Sequence, residues 1–381
     1  PSHNFRVRPM KNQIIAAGVA AGLSVVAMSA STTAGGPVLE TATYVGTPDS
    51  FGSEYARCMD VAPDGSIYIA GYADSSALPN ALNTKSGFTD MFVIKLAGDM
   101  STVHWSRYMG GIGVVADLEF ATDCAATADG GVVVTGKTET SDFPSVNAID
   151  NTLNGSSDAV LFKLDADGNV EFSTYIGGSG GEYADGGGIG EFVGEVEVAS
   201  DGSIFVAGDT RSADFPLVNA IDDTFGGFND DAFIMKLTAD GQTILASTYL
   251  GDAFSDTIRG MRLDSLDRPV VVGEAGPGWP YTPGAYSFGT PSSSGIVFVT
   301  KFAADAQSID WSARIDGNGL SGGSIHFREL AIGPDDAITV VGQSTGGSFP
   351  VPDNAYQPDI ASGSPTRDAI AFSFSAAGTE I

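Results

Sequence analysis

Five units of similar length follow one another in this chain, and each opens on a short tract that ends in Gly. The tracts are Thr43-Tyr44-Val45-Gly46, Arg107-Tyr108-Met109-Gly110-Gly111, Thr174-Tyr175-Ile176-Gly177-Gly178, Thr248-Tyr249-Leu250-Gly251 and Ala313-Arg314-Ile315-Asp316-Gly317. Counted from Tyr44, successive equivalent positions are 64, 67, 74 and 65 residues apart. Repetition on this scale is typical of propellers and solenoids, so it restricts the fold more than any local pattern does.

Each unit contains four short β-rich runs and no helical pattern. The first run ends in an acidic turn such as Asp64-Gly65 or Asp129-Gly130, which predicts a hairpin because Gly adopts positive φ at low cost. The second run, Ser66 to Gly71 in the first unit, is almost continuously apolar, as expected of a strand covered on both faces. The fourth run finishes in the repeated tract. Four antiparallel strands in every repeat predict the blades of a β-propeller.

The two ends of the chain indicate how such a ring would close. The fifth unit has a third strand at Asp368 to Phe374 and no fourth one, whereas Val38 to Gly46 carries the missing pattern. An N-terminal strand that completes the last blade would remove an unpaired sheet edge. We therefore predict an all-β fold over residues 35–381, a five-bladed β-propeller closed by its N-terminal strand. The predicted blades are approximately 47–109, 110–176, 177–250, 251–315, and 316–381 together with 38–46.

Residues 1–34 are interpreted as upstream residues followed by a secretory signal peptide that starts at Met10. An apolar run from Ile14 to Met28 follows Lys11, and small residues at Ala30 and Ala34 offer cleavage sites. This run is too short to span a bilayer comfortably, and no other apolar run approaches membrane length. The mature chain is therefore predicted to be periplasmic, secreted or attached to the outer surface, with no membrane insertion.

The charge of the chain restricts its partners. It has 47 acidic residues against 18 basic ones, a formal net charge of −29. Such a surface repels phosphate backbones and anionic lipids, which excludes nucleic acid and bare membrane. Cations, basic proteins and neutral glycans remain, and we expect a protein or carbohydrate ligand at the cell surface.

The two cysteines raise the question of a disulfide in an oxidising compartment. Cys58 and Cys124 lie in the same strand of consecutive repeats but one position out of register, so they point to opposite faces of their sheets. A bridge forms only if those two faces look toward each other. The sequence leaves both states open.

Several recurring motifs resemble the bacterial SBBP β-propeller repeat. They are Tyr-x-Gly-Gly, an acidic residue eleven positions before the turn Gly, Asp-Gly followed by Gly six positions later, Asp-Phe-Pro, and Asp-Ala-Phe-x-x-Lys-Leu. The resemblance covers Val38 to Ile381 and weakens in the fourth unit, where Asp267-Arg268 replaces Asp-Gly. The family's name implies seven blades, two more than the units counted here. The resemblance implies an exported or surface-associated bacterial protein, without a common activity.

One acidic position recurs at the start of the first strand. Alignment of the units places four carboxylates there: Glu54, Glu119, Glu191 and Asp256, with Ile325 in the fifth unit next to His326. First strands line the central channel of a propeller, so these side chains could converge near one mouth. Three interpretations stay open: hydrogen bonding between blades, a site for a hard cation such as Ca²⁺, and the acid and base of a glycosidase. Arginines three positions later, Arg57, Arg259 and Arg328, favour the first.

Other motifs are weaker. Asp165 to Asn169 resembles the start of a calcium loop, but the twelfth position is Ile176, so a hairpin turn explains it better. The run from Gly177 to Gly181 matches a nucleophile elbow by letters only, because no helix follows. Trp105 and Trp311 share one position, which favours packing.

The long loops indicate a recognition face. An enlarged loop from Gly178 to Gly190 breaks the repeat, and Trp279, Tyr281 and Tyr286 lie in the irregular fourth unit. We predict that Trp279 and Tyr281 bind a ligand together with the four carboxylates, on the side of the propeller that carries the long connections.

These observations favour an exported, non-catalytic binding or structural module that recognises a partner or glycan on its long-loop face. Two alternatives are kept. The first is a carbohydrate-active hydrolase that uses two of the four carboxylates. The second is an adhesion domain stabilised by Ca²⁺ bound to them, and Ca²⁺ is the only cofactor that the residues suggest.

Overall fold

The computed structural model describes residues 42–44, 46, 52–113, 119–180, 194–226, 230–288, 296–316, 324–345 and 367–379. These residues form β-strands, turns and loops, and none of them is helical. Among them there is accordingly no helix with the length and apolar character needed to cross a membrane.

The strands form five consecutive sheets. Sheet 1 contains β1 (Glu54–Val61), β2 (Ile67–Ala73), β3 (Asp90–Leu96) and β4 (Val103–Met109). Sheet 2 contains β5 (Phe120–Ala126), β6 (Val132–Thr138), β7 (Asp158–Leu164) and β8 (Val170–Ile176). Sheet 3 contains β9 (Glu195–Val198), β10 (Ile204–Thr210), β11 (Asp231–Leu237) and β12 (Ile244–Leu250). Sheet 4 contains β13 (Thr257–Leu263), β14 (Pro269–Ala275), β16 (Ile296–Phe302) and β17 (Ile309–Asp316), with the short β15 (Ser287–Phe288) parallel to β17. Sheet 5 contains β18 (Ser324–Ile332), β19 (Ile338–Thr345) and β20 (Arg367–Phe374).

Apart from β15, neighbouring strands pair antiparallel in chain order, as the hairpin signals predict. The turn glycines Gly65, Gly130 and Gly202 have φ near 85°, a conformation that only Gly adopts without strain. The second and third strands are buried on both faces, which accounts for their continuous apolar character. The antiparallel four-stranded sheets expected of a β-propeller are therefore confirmed.

The first strand of four sheets carries a β-bulge. The register with the second strand shifts between Ala56 and Cys58, and likewise in sheets 2, 4 and 5, so that the bulged residues are Arg57, Thr122, Arg259 and Arg328. A bulge inserts one residue and redirects the side chains that follow it. The arginines that the sequence placed three positions after the acids are thus bulge residues.

Consecutive sheets interlock through a hairpin turn and an aromatic ring. The turn that follows the third strand of one sheet places a residue of positive φ against the fourth strand of the sheet before it. Gly168, Gly241 and Gly378 lie against Trp105, Phe172 and Trp311 respectively, so close that an added Cβ would collide with each ring. Between sheets 3 and 4 the same positions are Ala246 and Ala306, both buried in one apolar cluster. Packing therefore explains both tryptophans.

The disulfide between Cys58 and Cys124 is present, and it joins β1 to β5 with a Cα–Cα distance of 5.9 Å. The faces that carry the two sulfur atoms do look toward each other. The bridge thus connects the first strands of sheets 1 and 2.

The predicted closing strand lies largely outside the described residues. Of Val38 to Gly46, the structure describes 42–44 and 46, and these residues belong to no strand. Within the described part of the chain, β20 pairs with β19 alone. The predicted signal peptide lies outside the described residues as well.

Candidate functional site

Glu119, one of the predicted carboxylates, is a buried acceptor between sheets 1 and 2. Its oxygens accept hydrogen bonds from the Gly111 N–H at 3.1 Å and from the hydroxyls of Thr138 and Thr140 at 2.8 and 2.5 Å. Gly111 follows β4, whereas Thr138 ends the second strand of sheet 2 and Thr140 follows it. Burial raises the pKa of Glu119 to about 7 although these donors oppose the shift.

Asp256 repeats this arrangement between sheets 3 and 4. Its two oxygens accept hydrogen bonds from the backbone N–H groups of Asp252 and Gly276, each at 2.8 Å. Burial raises its pKa to about 7, and the charges of Asp252 and Asp231 add to the shift. Both carboxyls thus hold neighbouring sheets together, which is the first of the three interpretations.

Each of these acids is close to an aspartate that begins the third strand of the preceding sheet. An added Cβ on Gly251 would lie 2.6 Å from Asp256 Oδ2 and 3.3 Å from Asp231 Cγ. An added Cβ on Gly110 would collide with Glu119 and lie 2.6 Å from Asp90 Cγ. Two carboxyl groups converge on one Cα in both places, which is the physical reason for Gly in the repeated tract.

The other two carboxylates of the predicted set are Glu54 and Glu191. Glu54 begins β1, and its Oε1 is buried without a hydrogen-bond partner in the described part of the chain. Glu191 lies outside the described residues. No group of three or more His, Cys, Asp or Glu side chains able to hold a metal ion occurs among the described residues.

The predicted aromatic ligand-binding residues are engaged with the protein. Trp279 is only 2% exposed, stacks on Phe298 with ring centroids 3.7 Å apart, and donates its indole N–H to Thr300. Tyr281 donates its hydroxyl to the Ala285 carbonyl and lies under the Arg314 guanidinium, 4.5 Å from the ring centroid. Trp279 therefore packs the core of sheet 4 and offers no ring to a ligand.

The two weaker motifs are turns. Asp165 accepts hydrogen bonds from the N–H groups of Asp167 and Asn169 and from the Asn169 amide, as in a plain hairpin. Ser179 donates its N–H and its hydroxyl to Asp214, and no helix follows within the described residues.

A different acidic group surrounds a single arginine on β13. We call it the Arg262 cluster, and its carboxyl groups come from the first strands of sheets 1, 2, 3 and 5: Asp60, Asp123, Glu195, Glu197 and Glu329. Arg262 Nη1 lies 3.3 Å from Glu197 Oε1 and 3.5 Å from Glu195 Oε2. Its Nη2 lies 3.4 Å from Glu329 Oε1. The first strands of all five sheets thus supply one cluster.

Three of these carboxylates accept backbone hydrogen bonds from the next sheet. Asp60 accepts the Ala126 N–H at 2.7 Å, Asp123 accepts the Val196 N–H at 3.0 Å, and Glu195 accepts the Met261 N–H at 3.3 Å. Their oxygens are engaged in the contacts between successive sheets. Glu197 and Glu329 make no such bond to a neighbouring sheet within the described residues, and their side chains are 23% and 48% exposed.

The electrostatic surroundings distinguish Glu197 from Glu329. Burial raises the pKa of Glu197 to about 8, against the opposing effect of Arg262 and with help from the charges of Asp123, Asp60 and Glu329. Glu197 is therefore mostly protonated at neutral pH, whereas Glu329 forms an ion pair with Arg262. Burial alone would lower the pKa of Arg262, but Glu329 and the other carboxylates raise it, so the guanidinium stays charged.

Reasoning from the repeat missed this cluster because it followed only the acid at the start of the first strand. The cluster members occupy two later positions of that strand: one is shared by Asp123, Glu195 and Glu329, and the other by Asp60, Glu197 and Arg262. Glu197 and Arg262 occupy one position of the aligned units, where the second and fifth units have Ala125 and Ala331. A single arginine among acids at a position that faces the other first strands was the available signal.

No protein-family model and no curated protein matches the chain. Solved structures do resemble it. A europium-containing methanol dehydrogenase aligns with a TM-score of 0.37 and 11% identity, over 88% of this chain and 70% of that one. A GH43_1 enzyme from Xanthomonas citri complexed with xylose aligns with a TM-score of 0.32 and 10% identity, over 77% and 84%. A PL25 ulvan lyase aligns with a TM-score of 0.37 and 7% identity, over 82% and 67%.

These structures correct one prediction. They are enzymes, so the interpretation of the chain as a non-catalytic binding or structural module is wrong by this comparison. Likeness at this level identifies neither a reaction nor a substrate.

Proposed function

We propose that this chain is a carbohydrate-active hydrolase, and that Glu197 and Glu329 are its acid and base on either side of Arg262. One arrangement carries the proposal: two partly exposed carboxyl groups contact the same guanidinium, and burial raises the pKa of one of them, Glu197, to about 8. Glycoside hydrolysis needs such a pair, one carboxylic acid and one carboxylate.

Two protons move in the proposed step, one from Glu197 and one to Glu329. Glu197 gives its proton to the glycosidic oxygen as the bond from that oxygen to the anomeric carbon breaks. A water molecule attacks the anomeric carbon, and Glu329 accepts one of its protons. The products are two sugars with free hydroxyls, and exchange with solvent restores both carboxyl groups. Arg262 contacts both acids and orients them.

The substrate class follows from the charge of the site. The cluster has five carboxyl groups and one cation, and the whole chain carries a net charge of −29. A polyanionic chain would be repelled from it. We therefore propose a neutral polysaccharide as the substrate.

We further propose that the five sheets are the five blades of a closed propeller. The convergence of all five first strands on the Arg262 cluster supports this arrangement, because first strands line the channel of a propeller. The cluster would then occupy the central channel. An SBBP-type repeat, export to the periplasm or cell surface, and closure by residues 38–46 belong to the same proposal.

The test is an assay of reducing-end release from xylan, arabinan, galactan, starch and mixed-linkage β-glucan. We expect activity on at least one of them, and a loss of about 100-fold or more in kcat for Glu197→Gln and for Glu329→Gln. Glu171→Gln is the matched control, since Glu171 is a partly exposed carboxylate that pairs with Lys163 and does not belong to the Arg262 cluster. Inactivity on all five substrates, or full activity of Glu197→Gln, would refute the proposal.

A further inference from the structure

A groove of about 440 Å³ lies between sheets 2 and 3. One wall is formed by the loop between β6 and β7 and by the tract that follows β8. The other wall is formed by β11, β12 and the loop that precedes β11. Its lining includes no residue of the Arg262 cluster. The volume is that of an ordinary small-molecule site.

The polar groups of the groove are held in place before any ligand arrives. Asp214 Oδ1 accepts the N–H and the hydroxyl of Ser179 at 2.8 and 3.0 Å. These hydrogen bonds lower the pKa of Asp214, so it is an ionised acceptor with a fixed orientation.

The opposite polar edge is built in the same way. Asp150 Oδ1 accepts the N–H and hydroxyl of Thr152 at 2.9 and 2.6 Å, and its Oδ2 accepts the Asn154 amide at 2.6 Å. Asn154 is in turn fixed by its own N–H, which donates to Asp158 at 3.0 Å. The groove therefore presents carboxylate and amide groups on short, braced turns.

The rest of the lining is apolar and free of cations. Ile149, Pro216, Leu237 and Ile244 contribute aliphatic surface, and no Lys or Arg lines the groove. Acceptors for hydroxyl groups beside aliphatic surface match a sugar ring, which has hydroxyls on its edge and C–H groups on its faces. Two carboxylates without a cation disfavour an anionic sugar.

We infer that this groove is an accessory site that binds one or two sugar residues of a neutral polysaccharide away from the Arg262 cluster. It rests on the proposed function for the substrate class, and it adds a second point of attachment to the same polysaccharide. Asp214 and Asp150 accept hydrogen bonds from sugar hydroxyls, and the aliphatic wall packs against the ring.

The experiment measures the binding of cellotriose, xylotriose and maltotriose by calorimetry, with thermal melting of every variant as a check on folding. We expect at least one trisaccharide to bind, and Asp214→Asn and Asp150→Asn to weaken it about tenfold each, the loss expected for one charged hydrogen bond. Asp142→Asn is the matched control, because Asp142 occupies the position of Asp214 in the preceding repeat and does not line the groove.

The double variant Glu197→Gln/Glu329→Gln separates the two proposals. If it keeps trisaccharide binding, the groove is supported whether or not the chain hydrolyses polysaccharides. If it abolishes binding while the groove variants bind normally, the sugar is held at the Arg262 cluster and the groove proposal is overturned. Absence of binding by all three trisaccharides would also overturn it.

Discussion

Asp252 accepts the backbone N–H of Gly278 through its carboxylate, and this contact reverses the roles found in the second and third repeats. There the aspartate of the Asp-Phe-Pro motif is the acceptor, and the residue directly after the tract at the end of the preceding sheet is the donor. Asp142 accepts the Ile112 N–H at 3.1 Å, and Asp214 accepts the Ser179 N–H at 2.8 Å. In the fourth repeat Gly278 replaces the motif's aspartate, and Asp252 replaces the glycine of the tract. The hydrogen bond between the two sheets is kept, but in the fourth repeat its acceptor, Asp252, lies on the preceding sheet.

This exchange predicts a rescue. Asp252→Gly should destabilise the protein by about 1–3 kcal/mol, because the Gly278 N–H loses a charged acceptor. The double variant Asp252→Gly/Gly278→Asp recreates the arrangement of the earlier repeats and should recover much of the loss. Urea denaturation of both variants measures the coupling. Equal stability of the single and double variants would show that the two residues are not coupled.

The interlock between Gly241 and Phe172 makes a second prediction. Gly241 has φ of 65° and lies against the Phe172 ring, so Gly241→Ala should cost about 1–3 kcal/mol through backbone strain and overpacking. The double variant Gly241→Ala/Phe172→Ala imitates the Ala246 and Ala306 pair of the next seam. We expect it to lose less stability than the sum of the single variants, as measured by thermal melting. Strict additivity would contradict the interlock.

Glu119 should make stability depend on pH in a defined direction. Its pKa rises from an ordinary value of 4.5 to about 7 in the folded protein, so the folded state binds the proton more tightly than the unfolded state. The resulting stabilisation is complete below pH 4.5 and is lost as pH rises to about 7, on the order of 3 kcal/mol. Glu119→Gln should remove this component, which unfolding free energies at several pH values would reveal. An unchanged pH profile in Glu119→Gln would contradict it, and Glu171→Gln serves as the exposed control.

Glu197 can be titrated without any assumption about activity. In ¹³C NMR spectra its carboxyl resonance, assigned by its absence in Glu197→Gln, should titrate near pH 8 because burial raises the pKa to about 8. Since Arg262 opposes that shift, Arg262→Gln should move the titration to still higher pH. A midpoint in the ordinary range of glutamate, or a downward shift in Arg262→Gln, would exclude Glu197 as the proton donor at neutral pH.

Closure of the ring can be tested by a cross-link. Met100 occupies the interlock position of sheet 1, with φ of 58°, and the repeat places Thr41 where Trp105 and Trp311 lie in their own units. If residues 38–46 complete the last blade, Thr41→Cys/Met100→Cys should form a disulfide on mild oxidation, detected as the loss of two free thiols. The single variants should each keep one thiol. Persistence of both thiols in the double variant would refute closure by this strand.

Local rules in the sequence were sufficient to predict the strands, the hairpin turns and the repeated order of the sheets. Alternation of apolar residues and turns such as Asp129-Gly130 act over a few neighbouring residues, so a single sequence displays them. The same rules led to the repeated acids Glu119 and Asp256, and these hold neighbouring sheets together.

The Arg262 cluster was decided by tertiary structure alone. Its members are far apart in the chain and come together because the sheets pack side by side, with β-bulges that shift the register in four of the five first strands. The protonation of Glu197 depends on burial by that packing and on charges from four other strands. Trp279 illustrates the same limit, since nothing local to it shows that the ring of Phe298 covers its face. Burial and charge proximity are properties of the assembled sheets, and no short segment of sequence contains them.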